Sequence, residues 1–111
     1  MEEEKKIDFK EVENKVIGYR RVRNALDEDQ YVPITFGKLA NLQKGIKDVY
    51  HFYVSLNSSL AALNQKYKEM EKKEEFSAKK ISDIYLEQIV LQSAIRLIEE
   101  KHLYELEISE I

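Results

Sequence analysis

Residues 39–70 read LANLQKGIKDVYHFYVSLNSSLAALNQKYKEM, and the apolar spacing in this stretch decides the fold that the sequence predicts. Leu39, Leu42, Ile46, Val49, Tyr53, Leu56, Leu60, Leu63, Tyr67 and Met70 alternate steps of three and four without a slip. That spacing lines one narrow seam on an α-helix and points to helix-on-helix packing between subunits. Lys44, His51, Ser58, Gln65 and Lys72 fall opposite the seam and are all polar. Thr35, after Pro33, is the expected cap, Ile34 and Leu39 the staple, and the helix continues to about Glu74. A helix of ~40 residues would be ~60 Å long, more than one small chain can cover by folding back on itself. A break at Asn57-Ser58-Ser59 is the competing reading, because these are weak helix formers. The heptad phase runs through them unchanged, which favours continuity.

The segment before this seam reads as a first helix, from about Phe9 to Leu26. Asp8 and Glu11 have capping-box spacing, Ile7 and Val12 staple spacing. Phe9, Val12, Val16, Tyr19, Val22 and Leu26 share one face at 100° per residue. Asp27, Glu28 and Asp29 would oppose the dipole at the helix end and are placed in a loop. After a turn near residues 74–76, Ser77 caps a third helix, with Phe76 and Ile81 as its staple. From Ile84 to Ile98 apolar residues occur all round this helix, a second reason to expect an oligomer.

The expected fold is therefore all-α: three helices, one of them long and heptad-bearing, in a coiled-coil-like oligomeric bundle. Residues 1–111 form a single helical domain. Residues 1–6 are a charged N-terminal tail. Residues 104–111 fit either a strand, with Tyr104, Leu106 and Ile108 alternating with Glu105 and Glu107, or one helical face.

Composition narrows the function. The chain is 43% hydrophobic and 35% charged, with a net charge of −3. A uniform grip on nucleic acid or an anionic membrane is not indicated. The absence of cysteine removes disulfides, thiol catalysis and cysteine zinc sites. MEEEKK lacks the order of a signal peptide, and no apolar run is long enough to span a bilayer. The expectation is a soluble, cytoplasmic protein.

Three constellations carry chemistry on paper. Glu99 with His102, and Asp48 with His51, have the i, i+3 spacing of di-iron bundles. Asp48 and His51 point away from the seam, so solvated helix faces are the plainer reading, and no metal or cofactor is expected. Lys15, Arg20, Arg21 and Arg23, beside Tyr19, form a basic cluster that suits phosphate and base contacts. On a helix they make no single strip, and basic residues near a helix end complement its dipole without a ligand. Tyr50, Phe52 and Tyr53 could line a ligand pocket, but aromatics at helical spacing are more often core or interface.

No nucleophile elbow, phosphate loop or His-Glu-x-x-His is present, so no enzyme is expected. The leading reading is a non-catalytic, helical, homo-oligomeric interaction or assembly module, most simply a homodimer, with the ten seam residues as its interface and a further protein as partner. The alternatives are a nucleic-acid accessory protein or nucleoprotein subunit using Lys15, Arg20, Arg21 and Arg23, and a small viral or mobile-element inhibitor that binds a host protein or sequesters a nucleotide.

Overall fold

A computed structural model describes residues 7–74 and 77–109. Its order is α1 (Phe9–Val12), β1 (Val16–Arg23), β2 (Asp29–Thr35), α2 (Phe36–Asn41), α3 (Val49–Lys72) and α4 (Ala78–Lys101). The all-α, three-helix bundle is thus overturned by an antiparallel β-hairpin inside the expected first helix and by a break in the second. The tail at residues 1–6 and the Phe76 half of the third staple lie outside the described residues.

Only the first turn of the expected first helix is helical. Asp8 occupies the N-cap position, but its side chain makes no capping bond, so the capping box with Glu11 is not formed. Val16 to Arg23 then pairs with Asp29 to Thr35 in a register that sets Arg21 opposite Tyr31 and Tyr19 opposite Pro33. The composition explains the outcome. Val16, Ile17, Tyr19, Val22, Tyr31, Val32, Ile34 and Thr35 are β-branched or aromatic residues that suit a pleated surface. Proline lacks an N–H and is confined to edge positions, and β2 is an edge strand. Asn24 builds the turn: its side-chain oxygen accepts from the Leu26 and Glu28 N–H groups at 2.9 and 3.0 Å. Asp27 takes the left-handed conformation, φ 60°. The supposed helical stripe is dispersed, with Val16, Tyr19 and Leu26 exposed.

The hairpin lies on α4, and the contact depends on Gly18. A Cβ there would stand 2.6 Å from Val90 Cγ2 and 3.4 Å from Val90 Cα. A longer residue would force the strand off the helix.

The expected 35–74 helix is two helices. Thr35 caps α2, accepting from the Lys38 N–H at 3.3 Å. The chain leaves the helix after Asn41 and passes through Gly45 at φ 98°. Residues 47–49 then pair with the C-terminal tail: Val49 N–H donates to Leu106 O at 2.9 Å, and Ile108 N–H to Lys47 O at 2.8 Å. Asp48 restarts the helix by accepting from the His51 N–H at 2.8 Å. The break therefore falls at residues 42–48, and α3 runs unbroken through Asn57-Ser58-Ser59. The described part of the tail is neither helix nor strand: Tyr104, Leu106 and Ile108 pack on the core and Glu107 forms an isolated β-bridge with Asp48, while Ile111 lies outside the described residues.

Ser77 caps α4, accepting from the Lys80 N–H at 3.1 Å. α3 and α4 each have 24 residues. Each is ~36 Å long, so α4 can cover the face of α3 within one chain, which a ~60 Å helix would not have allowed. Val49, Leu56 and Leu63 of the heptad seam are buried together with Ile84, Leu91, Ile95 and Ile98 of α4. Leu39, Ile46, Tyr53, Leu60, Tyr67 and Met70 pack partly against the same core, while Leu42 stays 73% exposed. At the other end Phe36 joins the layers, its ring 5.9 Å from Phe9 and 5.6 Å from Phe52. Among the described residues no helix is long and apolar enough to cross a membrane.

Candidate protein-docking groove

The four basic residues of the expected nucleic-acid cluster are divided by the hairpin. Arg21 forks onto Asp83 of α4, with Nε donating to Oδ1 at 2.9 Å and Nη2 to Oδ2 at 2.7 Å, and reaches Asp29 at 3.2 Å. Its side chain is only 12% exposed. The hydrogen bonds from Arg21 hold the Asp83 carboxyl below its ordinary value, and Asp83 in turn raises Arg21. Arg23 is taken by Asp27 at 2.6 Å and Asp29 at 3.7 Å. Lys15 and Arg20 are exposed and make no ion pair with another described residue. Two of the four charges thus hold the hairpin and its turn, while Arg20 lies mid-strand opposite Val32 and Lys15 lies at the end of the hairpin away from the turn. A shared phosphate site would need the four charges free and together.

The two histidine motifs do not converge. Asp48 is occupied by the α3 N-terminus and by His51 Nδ1, at 2.8 Å from each oxygen. Glu99 accepts from the Tyr53 hydroxyl at 2.9 Å. Among the described residues no three His, Cys, Asp or Glu side chains come together as a metal site would require. The three aromatics of the supposed ligand pocket point apart: Phe52 is buried, Tyr53 stacks edge-on against Tyr104, and Tyr50 is exposed beside His51.

These ion pairs predict an acid response. The backbone N–H of His51 lowers Asp48, and Arg21 lowers Asp83. A folded pKa below the unfolded one gives stability that is complete above the ordinary aspartate value of 3.8 and is lost as pH falls through the folded values. Acid unfolding followed by circular dichroism should set in below about pH 4. Asp83→Asn should flatten that transition while lowering stability at neutral pH, and an unchanged acid limb would show that the Arg21–Asp83 fork does not hold the hairpin.

What the fold does bring together is a groove beside the fork. A cavity of about 420 Å³ is lined by Tyr19 and Arg20 of β1, Ile34 of β2, Leu39 and Leu42 at the end of α2, and Leu86 and Val90 of α4. A second, of about 430 Å³, continues it past Arg20, Ile34 and Leu42 to Val32, Pro33 and Lys38. The floor is apolar because three elements meet there with their smaller aliphatic faces. The rim is charged: Arg20, Lys38 and Glu87 are exposed and make no ion pair with another described residue. Another depression, of about 680 Å³, lies over the 40–48 loop and the tail, with Lys44, Lys47, Asp48 and Glu107 among its lining residues. Its Asp48 carboxylate is already used in capping, and Ala40, Ile46 and Ile108 supply its apolar lining.

The sequence singled out Leu39 and Leu42 for a seam, and Tyr19 and Arg20 for nucleic acid. It did not connect them, nor did it mark Val90 as a wall. The signal available was Gly18, a strand glycine that announces close approach by another element. No family model, curated protein or solved structure matches the chain, so its site is defined by this geometry alone.

Proposed function

We propose that the protein is a non-catalytic interaction module, working in the cytoplasm, that docks an amphipathic segment of a partner protein in the groove between the β-hairpin, α2 and α4. The observation that carries this is Leu42. It is a large aliphatic residue, 73% exposed, at the junction of two adjoining apolar cavities. Isolated exposed apolar residues need no explanation, but a contiguous patch inside a charged rim is the pattern of a binding surface. Arg20 and Lys38 on the rim favour a partner segment with a carboxylate beside its apolar residues. A binding role is supported over a catalytic one by the state of the groove's carboxylates. Asp83 is held ionised by Arg21, and Glu87 lies on an open rim. The fork with Arg21 keeps the Asp83 carboxyl away from the neutral form that acid work would need.

The test is a photo-crosslinking residue at position 42 in the full chain, expressed in its native host. One discrete protein adduct is expected. Leu42→Asp should weaken capture of that protein about 30-fold or more, the size of a hot-spot loss of ~2 kcal/mol. Arg20→Glu with Lys38→Glu should weaken it too. Leu26→Asp, at an equally exposed position on the hairpin turn, should not. Equal loss in Leu26→Asp, or none in Leu42→Asp, would refute the groove as the docking site.

A further inference from the structure

The register of the hairpin decides which of its backbone groups are already paired. The Asn24 N–H donates to Glu28 O at 3.0 Å, next to the turn. Hydrogen-bonded and non-hydrogen-bonded pairs alternate along an antiparallel ladder. Counting from Asn24 and Glu28, Val22 with Gln30 and Arg20 with Val32 are the pairs that exchange bonds. Arg23 with Asp29, Arg21 with Tyr31 and Tyr19 with Pro33 fall between them, and their N–H and C=O groups turn outwards. Pro33, which has no N–H to give, occupies an outward position, as this phase requires.

A two-stranded sheet has two outer edges, and α4 closes the one on β1. Gly18 meets Val90 and Arg21 meets Asp83. The step from Gly18 to Arg21 in a strand and from Val90 back to Asp83 in a helix is ~10 Å in both cases, so the two run side by side in opposite directions. Gly18 and Arg21 project from opposite sides of the strand, and one helix meets both only from the outer edge. The edge on β2 has no such cover. Among the described residues no backbone group pairs with it, and Tyr31 at its middle is 54% exposed. Asp29 and Tyr31 present both N–H and C=O there, and Pro33 its C=O.

This open edge borders the groove. Val32, Pro33 and Ile34 line the cavity of about 430 Å³ together with Lys38 and Leu42. A row of N–H and C=O groups at strand spacing is matched by another extended backbone, whereas a helix has spent its own groups internally. A segment laid ~4.8 Å beside β2 would continue the sheet and set every second side chain on the side of Val32 and Ile34, over Leu42. Edge strands that avoid partners often carry lysine or an inward charge. The only charged residue of β2 is Asp29, and Arg21 and Arg23 occupy its carboxylate. Pro33 ends the donors on one side and the turn ends the strand on the other, so the edge takes a short segment and not an open-ended sheet.

We infer that the partner segment docks as an extended strand added to the β2 edge at residues 29–33, with alternate apolar side chains in the groove and a carboxylate at the Arg20 and Lys38 rim. The inference rests on the groove being the docking site and specifies what it takes: a segment with apolar residues at every second position and an acidic residue, not an amphipathic helix.

The probe is a library of short random peptides displayed on phage, selected on the full chain and counter-selected on Leu42→Asp. Selected peptides should carry apolar residues at alternate positions beside Asp or Glu. Apolar residues at steps of three and four would overturn the inference and leave the groove to a helix. No enrichment over Leu42→Asp would overturn the groove itself, and the strand with it. Tyr31→Pro removes the outward N–H and leaves the inward ladder intact, so a selected peptide should bind at least ~10-fold more weakly at unchanged circular dichroism. Tyr31→Ala keeps that N–H and should bind nearly as the unaltered chain does; equal loss in both variants would overturn the inference. Amide hydrogen exchange of the unaltered chain is the second measurement. The Tyr31 amide should exchange faster than those of Gln30 and Val32 in the free chain, and should slow at least ~10-fold when a selected peptide saturates it. A Tyr31 amide that saturation leaves unchanged would overturn strand addition while the groove stands.

Discussion

Phe36→Ala should cost about 3–5 kcal/mol, the usual range for an aromatic removed from a packed core. Marginal domains hold only ~5–15 kcal/mol in total, so much of the fold's stability rests on this ring. Phe36 is 0% exposed and is the first residue of α2. Its ring meets Phe9 at 42° and Phe52 at 67°, so α1, α2 and α3 converge on it. Its N–H also donates to Lys15 O at 2.9 Å, which ties the start of α2 to the residue before β1. A cavity at this three-element junction cannot be refilled by a small shift. Denaturant unfolding should show a lower midpoint at unchanged slope, and thermal unfolding a fall of roughly 15 °C or more. A loss below about 1 kcal/mol would mean that the aromatic junction is not the centre of the core.

Leu56→Asp should unfold the chain, whereas Ser58→Asp should lie within about ±0.5 kcal/mol of the unaltered protein. Leu56 is 3% exposed in the middle of α3 and Ser58 is exposed. Aspartate at position 56 loses the packing of a leucine and places a carboxyl where nothing can pair with it, together at least ~4 kcal/mol. The outcome also separates two meanings of the heptad seam. Were the seam a contact between chains, Leu56→Asp would leave folded, helical monomers. With the seam facing α4 of the same chain, helicity should collapse at every protein concentration. Circular dichroism across a dilution series reads the difference directly, and a folded helical monomer would return the seam to a role between subunits.

The features legible in the sequence are those decided within one turn of backbone. Thr35 and Ser77 cap their helices because a side-chain oxygen meets an N–H three residues on, a contact that needs no other part of the chain. The inward face of α3 and the continuity through Asn57-Ser58-Ser59 follow from periodicity over successive turns. What periodicity cannot report is the path of the backbone between matching positions. Leu39 and Ile46 keep the heptad step although the chain between them leaves the helix, because the step counts residues and not hydrogen bonds. Phe9, Val12, Val16 and Tyr19 satisfy a helical stripe just as well, yet the helix stops at Val12 and strand pairing prevails from Val16. Gly18, Asn24 and the β-branched residues on either side of the turn were the local hints of a hairpin.

The remaining decisions were tertiary. Whether Val16–Arg23 is strand or helix is settled with Val90 and Asp83, more than sixty residues away, against which Gly18 and Arg21 pack. The break at 42–48 is held by Leu106 and Ile108 of the tail, through backbone groups that carry no side-chain signature. The groove exists only once three separate elements meet, so no spacing along the chain encodes it. Sequence by itself determined where α2 and α4 begin and which face of α3 is apolar, because propensity, capping and periodicity act locally. Only the tertiary structure decided which apolar faces cover one another and which remain open, because burial is a property of two surfaces and not of one segment.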